Sequence, residues 1–176
     1  NFHKSMARFI VGVDEVGRAA SKRRASPHSF VIGIDEVGRG ALAGPVVVAA
    51  VCVPANRKSR IANRGPGKLK DSKKLSAKQR EAWFEYFRAH PKIDYAIARV
   101  YPRQIEKRNI SRAANLAALR ACGRLMANGK WQMAKHRIFL DGGLYLGNKE
   151  RQIANRKSQI ARTVVRGDEK IKAIAA

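Results

Sequence analysis

The chain has 176 residues, of which 45% are hydrophobic and 28% charged, which is enough apolar material for the core of one domain. Its 37 lysines and arginines against 13 acidic residues give a formal net charge of +24, so a polyanionic partner such as nucleic acid is expected. A membrane span is excluded, because the longest apolar stretch, residues 41–53, is shorter than the roughly 20 residues required and contains Gly44 and Pro45.

The first 29 residues predict a basic appendage ahead of the globular part. Residues 9–18, FIVGVDEVGR, return with few changes as residues 30–39, FVIGIDEVGR. Between the two copies, residues 19–29 are rich in Ser, Lys and Arg. From residue 30 the pattern becomes that of a folded domain, which we expect to cover residues 30–176.

This domain is predicted to have the element order ββαβααββ. Runs of β-branched or alternating apolar residues predict the strands, and Ser76 is a good N-cap for the first helix. The predicted strands cover residues 30–37, 46–53, 93–101, 137–140 and 162–166, and the predicted helices cover 77–89 and a region from Pro102 that is strongest over 111–127. This order predicts a mixed α/β domain built on a central sheet.

The two cysteines predict a reducing compartment. Cys52 lies in an apolar run and Cys122 in a helical pattern, so both are expected to be buried free thiols. The apolar run at residues 9–13 is too short to be the core of a secretory signal. We therefore expect a cytoplasmic protein.

The scarce acidic residues gather at the ends of predicted strands. Asp35 and Glu36 end the first strand, Asp141 ends another, and Asp168 follows the last. Carboxylates that converge on one edge of a sheet form an oxygen-rich site suited to Mg²⁺ or Mn²⁺. Because neighbours on an ideal strand point to opposite faces, Asp35 and Glu36 can share a metal only where the strand twists or ends. From the residues alone, strand-end caps or partners for nearby arginines remain the alternative.

Two basic segments predict contacts to phosphate. In Gly38-Arg39-Gly40 the glycines allow close approach of the backbone, and the arginine can hold a phosphate in a fork. Lys73 and Lys74 come just before a helix N-terminus, which is a natural position for phosphate. An ordinary hairpin turn and a solvated capping turn are the alternative interpretations.

Taken together, five segments of the chain resemble bacterial ribonuclease HII. They are DEVGRGALAGP at residues 35–45, DSKKLS at 71–76, Asn109-Ile110, FLDG at 139–142 and RGD at 166–168. The resemblance extends over the predicted domain and implies a ribonuclease H-like fold. It also implies a metal-dependent endonuclease that cleaves the RNA strand of RNA–DNA hybrids, and cleaves at ribonucleotides embedded in duplex DNA.

The same resemblance implies the site residues. The four catalytic carboxylates of the family fall on Asp35, Glu36, Asp141 and Asp168. These would bind two Mn²⁺ or Mg²⁺ ions, which activate a water and stabilise the leaving 3′-oxygen. The products would carry 5′-phosphate and 3′-hydroxyl ends.

The resemblance further assigns the substrate contacts. The family motif that senses the ribose 2′-hydroxyl and the adjacent phosphate falls on Gly38, Arg39 and Gly40. Lys73 and Lys74 match lysines that contact phosphate. The expected partners are therefore an RNA–DNA hybrid and a DNA duplex that contains a ribonucleotide.

The sequence departs from the family pattern in two places. The family continues beyond the Gly-Asp motif into a helix and a stacking tyrosine, whereas this sequence stops at Ala176, so we expect a C-terminally truncated monomer with weak activity. Asp14 and Glu15 are not followed by Gly-Ala-Leu-Ala-Gly-Pro, so the first copy is expected to be a non-functional duplicate. The alternative function is that of a basic nucleic-acid-binding remnant of the family that has lost turnover.

Overall fold

A computed structural model describes residues 29–37, 44–54, 65–67, 74–127, 135–141, 143–146 and 160–164. Within these residues it contains strands and helices in the predicted order ββαβααββ. They are β1 (Ser29–Val37), β2 (Val46–Pro54), α1 (Ala77–Ala89), β3 (Asp94–Val100), α2 (Pro102–Arg108), α3 (Ile110–Ala127), β4 (Lys135–Asp141) and β5 (Ile160–Val164). Residues 1–28 of the predicted appendage fall outside the described residues, whereas its last residue, Ser29, begins β1.

The five strands form one mixed sheet in the order β3-β2-β1-β4-β5. β2 is antiparallel to both β1 and β3, whereas β4 is parallel to both β1 and β5. Val37 at the end of β1 pairs with Val47, and the neighbouring Val46 pairs with Val100 at the end of β3. The last residues of β1, β3 and β4 therefore lie at one end of the sheet, which we call the carboxylate end.

The two faces of the sheet carry separate cores, because side chains along a strand alternate between the faces. On one face Ile32, Ile34 and Val48 pack with α3. On the other face Val31 and Val51 pack with α1. The predicted mixed α/β domain on a central sheet is confirmed.

The helix α3 covers its face of the sheet with small side chains. Its buried residues are five alanines, Cys122 and Leu125. Small residues allow the helix to pack closely against the strands, so this face excludes water with little side-chain volume. Cys52 and Cys122 are both buried free thiols, as the sequence predicts.

The helix α1 has the bounds that the sequence predicts because a capping box fixes its start. Ser76 Oγ accepts a hydrogen bond from the N–H of Gln79 at 3.2 Å, and Gln79 Oε1 accepts one from the N–H of Ser76 at 2.9 Å. Trp83 and Phe87 are its buried residues, and their rings stack with centroids 5.2 Å apart.

The helical region predicted from Pro102 divides at Asn109. This residue has a φ of 65° and a ψ of 164°, a conformation that residues other than glycine rarely adopt and that a helix cannot continue through. Its side-chain oxygen accepts a hydrogen bond from the N–H of Arg112 at 3.0 Å and so caps the start of α3.

Other boundaries differ from the prediction by one or two residues. The edge strand β3 ends at Val100, and not at Tyr101, because Tyr101 is the N-cap of α2. The last strand is Ile160–Val164 and not residues 162–166. Among the described helices, none combines the length and the apolar character needed to cross a membrane.

Candidate active site

Asp35 is the only charged residue in the buried core of the part that the structure describes. Its side chain lies near the end of β1 and is 6% exposed. The carboxylate oxygen Oδ1 accepts a hydrogen bond from the N–H of Glu36 at 2.7 Å. Removing a carboxylate from water is costly, so a buried one at the end of a strand indicates a compensating cation or a functional role.

Glu36 approaches the same end of the sheet from the other face. The β1–β2 pairing stays regular, with Asp35 opposite Ala49 and Glu36 opposite Val48. Asp35 is therefore in phase with the α1 face and Glu36 with the α3 face. The strand ends at Val37, one residue after Glu36, so both acids lie close to the end of β1. Glu36 is half-buried, and its Oε2 oxygen is inaccessible to solvent.

The sheet register brings Asp141 level with Asp35. The parallel strands β1 and β4 pair from Ser29 with Lys135 to Ile34 with Leu140, and the two aspartates are the next residue on each strand. Neighbouring strands are about 4.8 Å apart, so the two backbones lie side by side at the carboxylate end. The side chain of Asp141 is not among those that the structure describes.

The strand β5 extends this arrangement. It is parallel to β4, and its last residue, Val164, pairs with Asp141. Asp168 follows four residues later in the sequence and lies outside the described residues. Of the four predicted carboxylates, the structure therefore describes the side chains of Asp35 and Glu36 and the backbone position of Asp141.

The donors that are described fit a divalent cation. Carboxylate oxygens are the ligands that Mg²⁺ and Mn²⁺ prefer, and a cation would offset the cost of burying Asp35 and the Oε2 of Glu36. The described side chains include no group of three or more acidic, histidine or cysteine residues placed to hold a metal. Asp141 and Asp168 are the residues that would complete such a group.

Of the residues predicted to contact phosphate, the structure describes only Lys74. Lys74 is exposed and comes two residues before Ser76, the N-cap of α1. Between them, Leu75 is buried and its carbonyl accepts a hydrogen bond from the Arg80 guanidinium at 2.5 Å, which anchors this turn. Lys73 and residues 38–40 lie outside the described ranges.

Sequence reasoning missed a cationic surface on α2. A groove beside this helix is lined by arginine and lysine side chains, and Tyr101, which is 61% exposed, caps the helix. The signal was present in the sequence, because Pro102–Arg108 holds three cations and one acid in seven residues.

A mixed sheet with acidic residues at the ends of its parallel strands and helices on both faces defines a ribonuclease H-like α/β fold. The crystal structure of the ribonuclease H2 from Pyrococcus horikoshii OT3 has this fold and superposes with a TM-score of 0.56. The superposition covers 83% of this chain and 67% of that chain, at 21% sequence identity. The predicted fold class is confirmed.

Sequence comparison then gives the family. The family model described as Ribonuclease HII matches residues 32–176, and the chain belongs to this family, as the five motifs predict. It is 46% identical over 118 residues to the ribonuclease HII of Paracoccus denitrificans, which is 67% of this chain and 42% of that relative. It is 35% identical over 167 residues to that of Francisella philomiragia, which is 95% of this chain and 66% of the relative. The chain thus spans less than half of the Paracoccus relative's length and about two thirds of the Francisella relative's.

Proposed function

We propose that the chain is a metal-dependent endonuclease that cleaves the RNA strand of RNA–DNA hybrids and cleaves at ribonucleotides embedded in duplex DNA. The observation that carries this proposal is the buried Asp35 at the end of the central strand, level with Asp141 on the parallel neighbour. Membership of the ribonuclease HII family and the net charge of +24 support a nucleic-acid substrate.

Four carboxylates would hold the metal. Asp35 and Glu36 would supply ligands from β1, Asp141 from the end of β4, and Asp168 from the segment after β5. When bound, Mg²⁺ or Mn²⁺ supplies an activated water for attack on phosphorus and stabilises the charge on the leaving 3′-oxygen. The fixed backbone of the central strands orients the ligands, and the products carry 5′-phosphate and 3′-hydroxyl ends.

Basic and glycine residues would select and hold the substrate. Gly38, Arg39 and Gly40 follow directly on β1, and would contact the ribose 2′-hydroxyl, the group that separates RNA from DNA at one position. Lys73 and Lys74, just ahead of α1, would contact phosphate. Arg39 is suited to binding phosphate because its planar guanidinium group matches two phosphate oxygens.

We also propose that the protein acts as a monomer in the cytoplasm, in the removal of ribonucleotides during DNA replication and repair. The buried free thiols of Cys52 and Cys122 support a reducing compartment.

The proposal is tested with two DNA duplexes of the same sequence, one all-DNA and one with a single ribonucleotide, and with an RNA–DNA hybrid. With Mn²⁺ or Mg²⁺ the protein should cut the hybrid and the ribonucleotide strand, leaving 5′-phosphate and 3′-hydroxyl ends, and should leave the all-DNA duplex intact. A chelator should stop cleavage. Tight binding of all three without any metal-dependent cleavage would instead establish a nucleic-acid-binding protein without turnover.

A further inference from the structure

A cationic groove lies on α2, and none of the residues that line it is among those to which the family resemblance assigns a role. The groove has a volume of about 350 Å³ and is lined, among the described residues, by Arg103, Gln104, Lys107 and Arg108. All four side chains are exposed to solvent. Three positive charges and an amide therefore border one concave surface.

Lys107 and Arg108 lie in the last turn of α2, where the helix dipole favours a cation, and the described residues show no other way in which the three cations stabilise the fold. Ile105 is the residue of α2 that packs against the core. No ion pair joins Arg103, Lys107 or Arg108 to an acid in the described part of the chain. Arg103 stands in the first turn, which holds no acidic residue and where the helix dipole disfavours a cation. Arg103 and Lys107 are also one helical turn apart, so their charges repel.

The groove is placed at the carboxylate end of the sheet. The helix α2 starts two residues after Val100, the last residue of β3. The partner of Val100 on β2 is Val46, and the next residue of β2, Val47, pairs with the last residue of β1. Two strand spacings of about 4.8 Å separate β3 from β1, so α2 begins roughly 10 Å to the side of the strand that carries Asp35. One turn of a DNA duplex is about 34 Å long, so a duplex held at Asp35 reaches well past this distance.

We propose that the α2 groove is a second contact surface for nucleic acid, which binds the phosphodiester backbone of the duplex beside the scissile position. This inference rests on the proposed function for the position of the duplex. Side chains one helical turn apart have Cβ atoms about 5–6 Å apart, so Arg103 and Lys107 can engage neighbouring phosphates of one strand. Binding polyanionic backbone removes the repulsion between the cations and uses charge that has no described partner. The contact is to phosphate, so it adds affinity for any duplex and no preference for ribonucleotides.

A pair of double variants with matched chemistry tests this inference in the full chain. Arg103→Gln/Lys107→Gln removes two cations from the groove. The control, Arg88→Gln/Lys92→Gln, has the same sequence spacing at the other end of β3 and removes an exposed lysine and an exposed arginine that forms an ion pair with Glu85 at 2.7 Å. Binding of the all-DNA and the ribonucleotide-containing duplex is measured with a chelator present, between about 50 and 200 mM salt.

The slope of log affinity against log salt should become shallower in the α2 variant by about 0.9 for each phosphate that is no longer neutralised, hence by up to about 1.8. The decrease should be equal for both duplexes, and the Arg88/Lys92 variant should keep the parental slope. The charge-preserving variant Arg103→Lys/Lys107→Arg should keep it as well, which excludes a general defect in folding. An unchanged slope in the α2 variant, or an equal decrease in the control, overturns the inference.

The result is separable from that of the proposed function. If the parental chain cleaves and the α2 variant keeps the parental slope, the groove assignment is wrong and the nuclease assignment stands. If the parental chain binds without cleaving and the slope falls in the α2 variant alone, the groove assignment stands and the nuclease assignment is wrong.

Discussion

Two aspartates of the sheet share the same local hydrogen bond and differ in almost everything else. Asp35 Oδ1 accepts from the N–H of Glu36 at 2.7 Å, and Asp94 Oδ1 accepts from the N–H of Tyr95 at 2.9 Å. Asp35 is buried near the end of the central strand, whereas Asp94 is half-buried at the start of the edge strand β3. The hydrogen bond to the next N–H therefore does not by itself distinguish a candidate metal ligand from an ordinary aspartate.

Their neighbours across the sheet account for the difference. Asp35 has a parallel neighbour strand that ends in Asp141, so the register gathers acids at one end of the sheet. Ligands of open α/β sheets bind at such carboxyl ends. Asp94 pairs instead with Cys52, a buried thiol. Parallel pairing of strands distant in the sequence thus brings the candidate residues Asp35 and Asp141 to the same end of the sheet.

The largest expected effect comes from Asp141→Asn, which removes a carboxylate at the level of Asp35. If the carboxylate end is the cleavage site, single-turnover cleavage should fall by at least about 10³-fold, because the loss of a group that acts within a catalytic set is rarely compensated. Duplex affinity should change little, since it comes mainly from lysine and arginine contacts.

The duplicated motif near the N-terminus supplies the control for that experiment. Asp14→Asn changes the matching aspartate of the first copy and should leave cleavage unchanged. A large loss in Asp14→Asn with near-parental activity in Asp141→Asn would mean that the site assignment is wrong.

The two buried thiols, one of which pairs with Asp94, predict that the protein loses stability at alkaline pH. Burial raises the pKa of Cys122 to about 11. Burial, followed by the charge of Asp94, raises the pKa of Cys52 well above its usual range. In the unfolded chain both thiols ionise near pH 8.5, whereas the folded chain keeps them protonated. The unfolded state then binds fewer protons, so the free energy of unfolding falls as the pH rises.

For Cys122 this fall should continue to about pH 11, at roughly 1.4 kcal/mol for each pH unit. Denaturant unfolding between about pH 8 and 11 measures it in the parent and in Cys52→Ala/Cys122→Ala. The variant should lose the part of the slope that the thiols supply, whatever its stability at neutral pH. Identical slopes in the two proteins would contradict the burial of protonated thiols.

A smaller effect separates the two aspartates by metal binding without any nuclease assay. Mn²⁺ at ten times its dissociation constant should raise the free energy of unfolding of the parent by about 1.4 kcal/mol. Asp94→Asn should respond like the parent, and Asp35→Asn should lose most of the response, because it replaces a buried carboxylate with a neutral amide. Equal Mn²⁺ stabilisation of Asp35→Asn and the parent would place the metal elsewhere.

Local signals in the sequence were sufficient for most of the fold. The bounds of α1 follow from Ser76 and Gln79, which form the capping box, and from Pro91 beyond its end. The division at Asn109 was harder to predict, because it depends on one residue adopting a positive φ within an otherwise helical stretch. The predicted strand ends at Ile93 and Tyr101 were each one residue too far, because the N–H of Ile93 donates a turn hydrogen bond to the His90 carbonyl at 3.1 Å and Tyr101 is the N-cap of α2.

The sequence predicts a set of candidate site residues and not their arrangement. The acids at strand ends were visible, but the register that sets Asp141 beside Asp35 joins strands about a hundred residues apart, and no local pattern encodes it. The α2 groove was not predicted from the sequence for a different reason. Its cations lie on a short helix in an overall basic chain, and only their shared position at the carboxylate end distinguishes them.

The most direct test of the central claim compares the two aspartates in one assay. Asp35→Asn and Asp94→Asn each replace a carboxylate by an amide that can keep the hydrogen bond to the next N–H. Single-turnover cleavage of a DNA duplex with one ribonucleotide is measured with Mn²⁺ for both variants and the parent. We expect background cleavage for Asp35→Asn and a rate within about twofold of the parent for Asp94→Asn, since substitutions away from a site typically cost less than about 0.5 kcal/mol. Near-parental cleavage by Asp35→Asn, or an equal loss in both variants, would contradict this expectation.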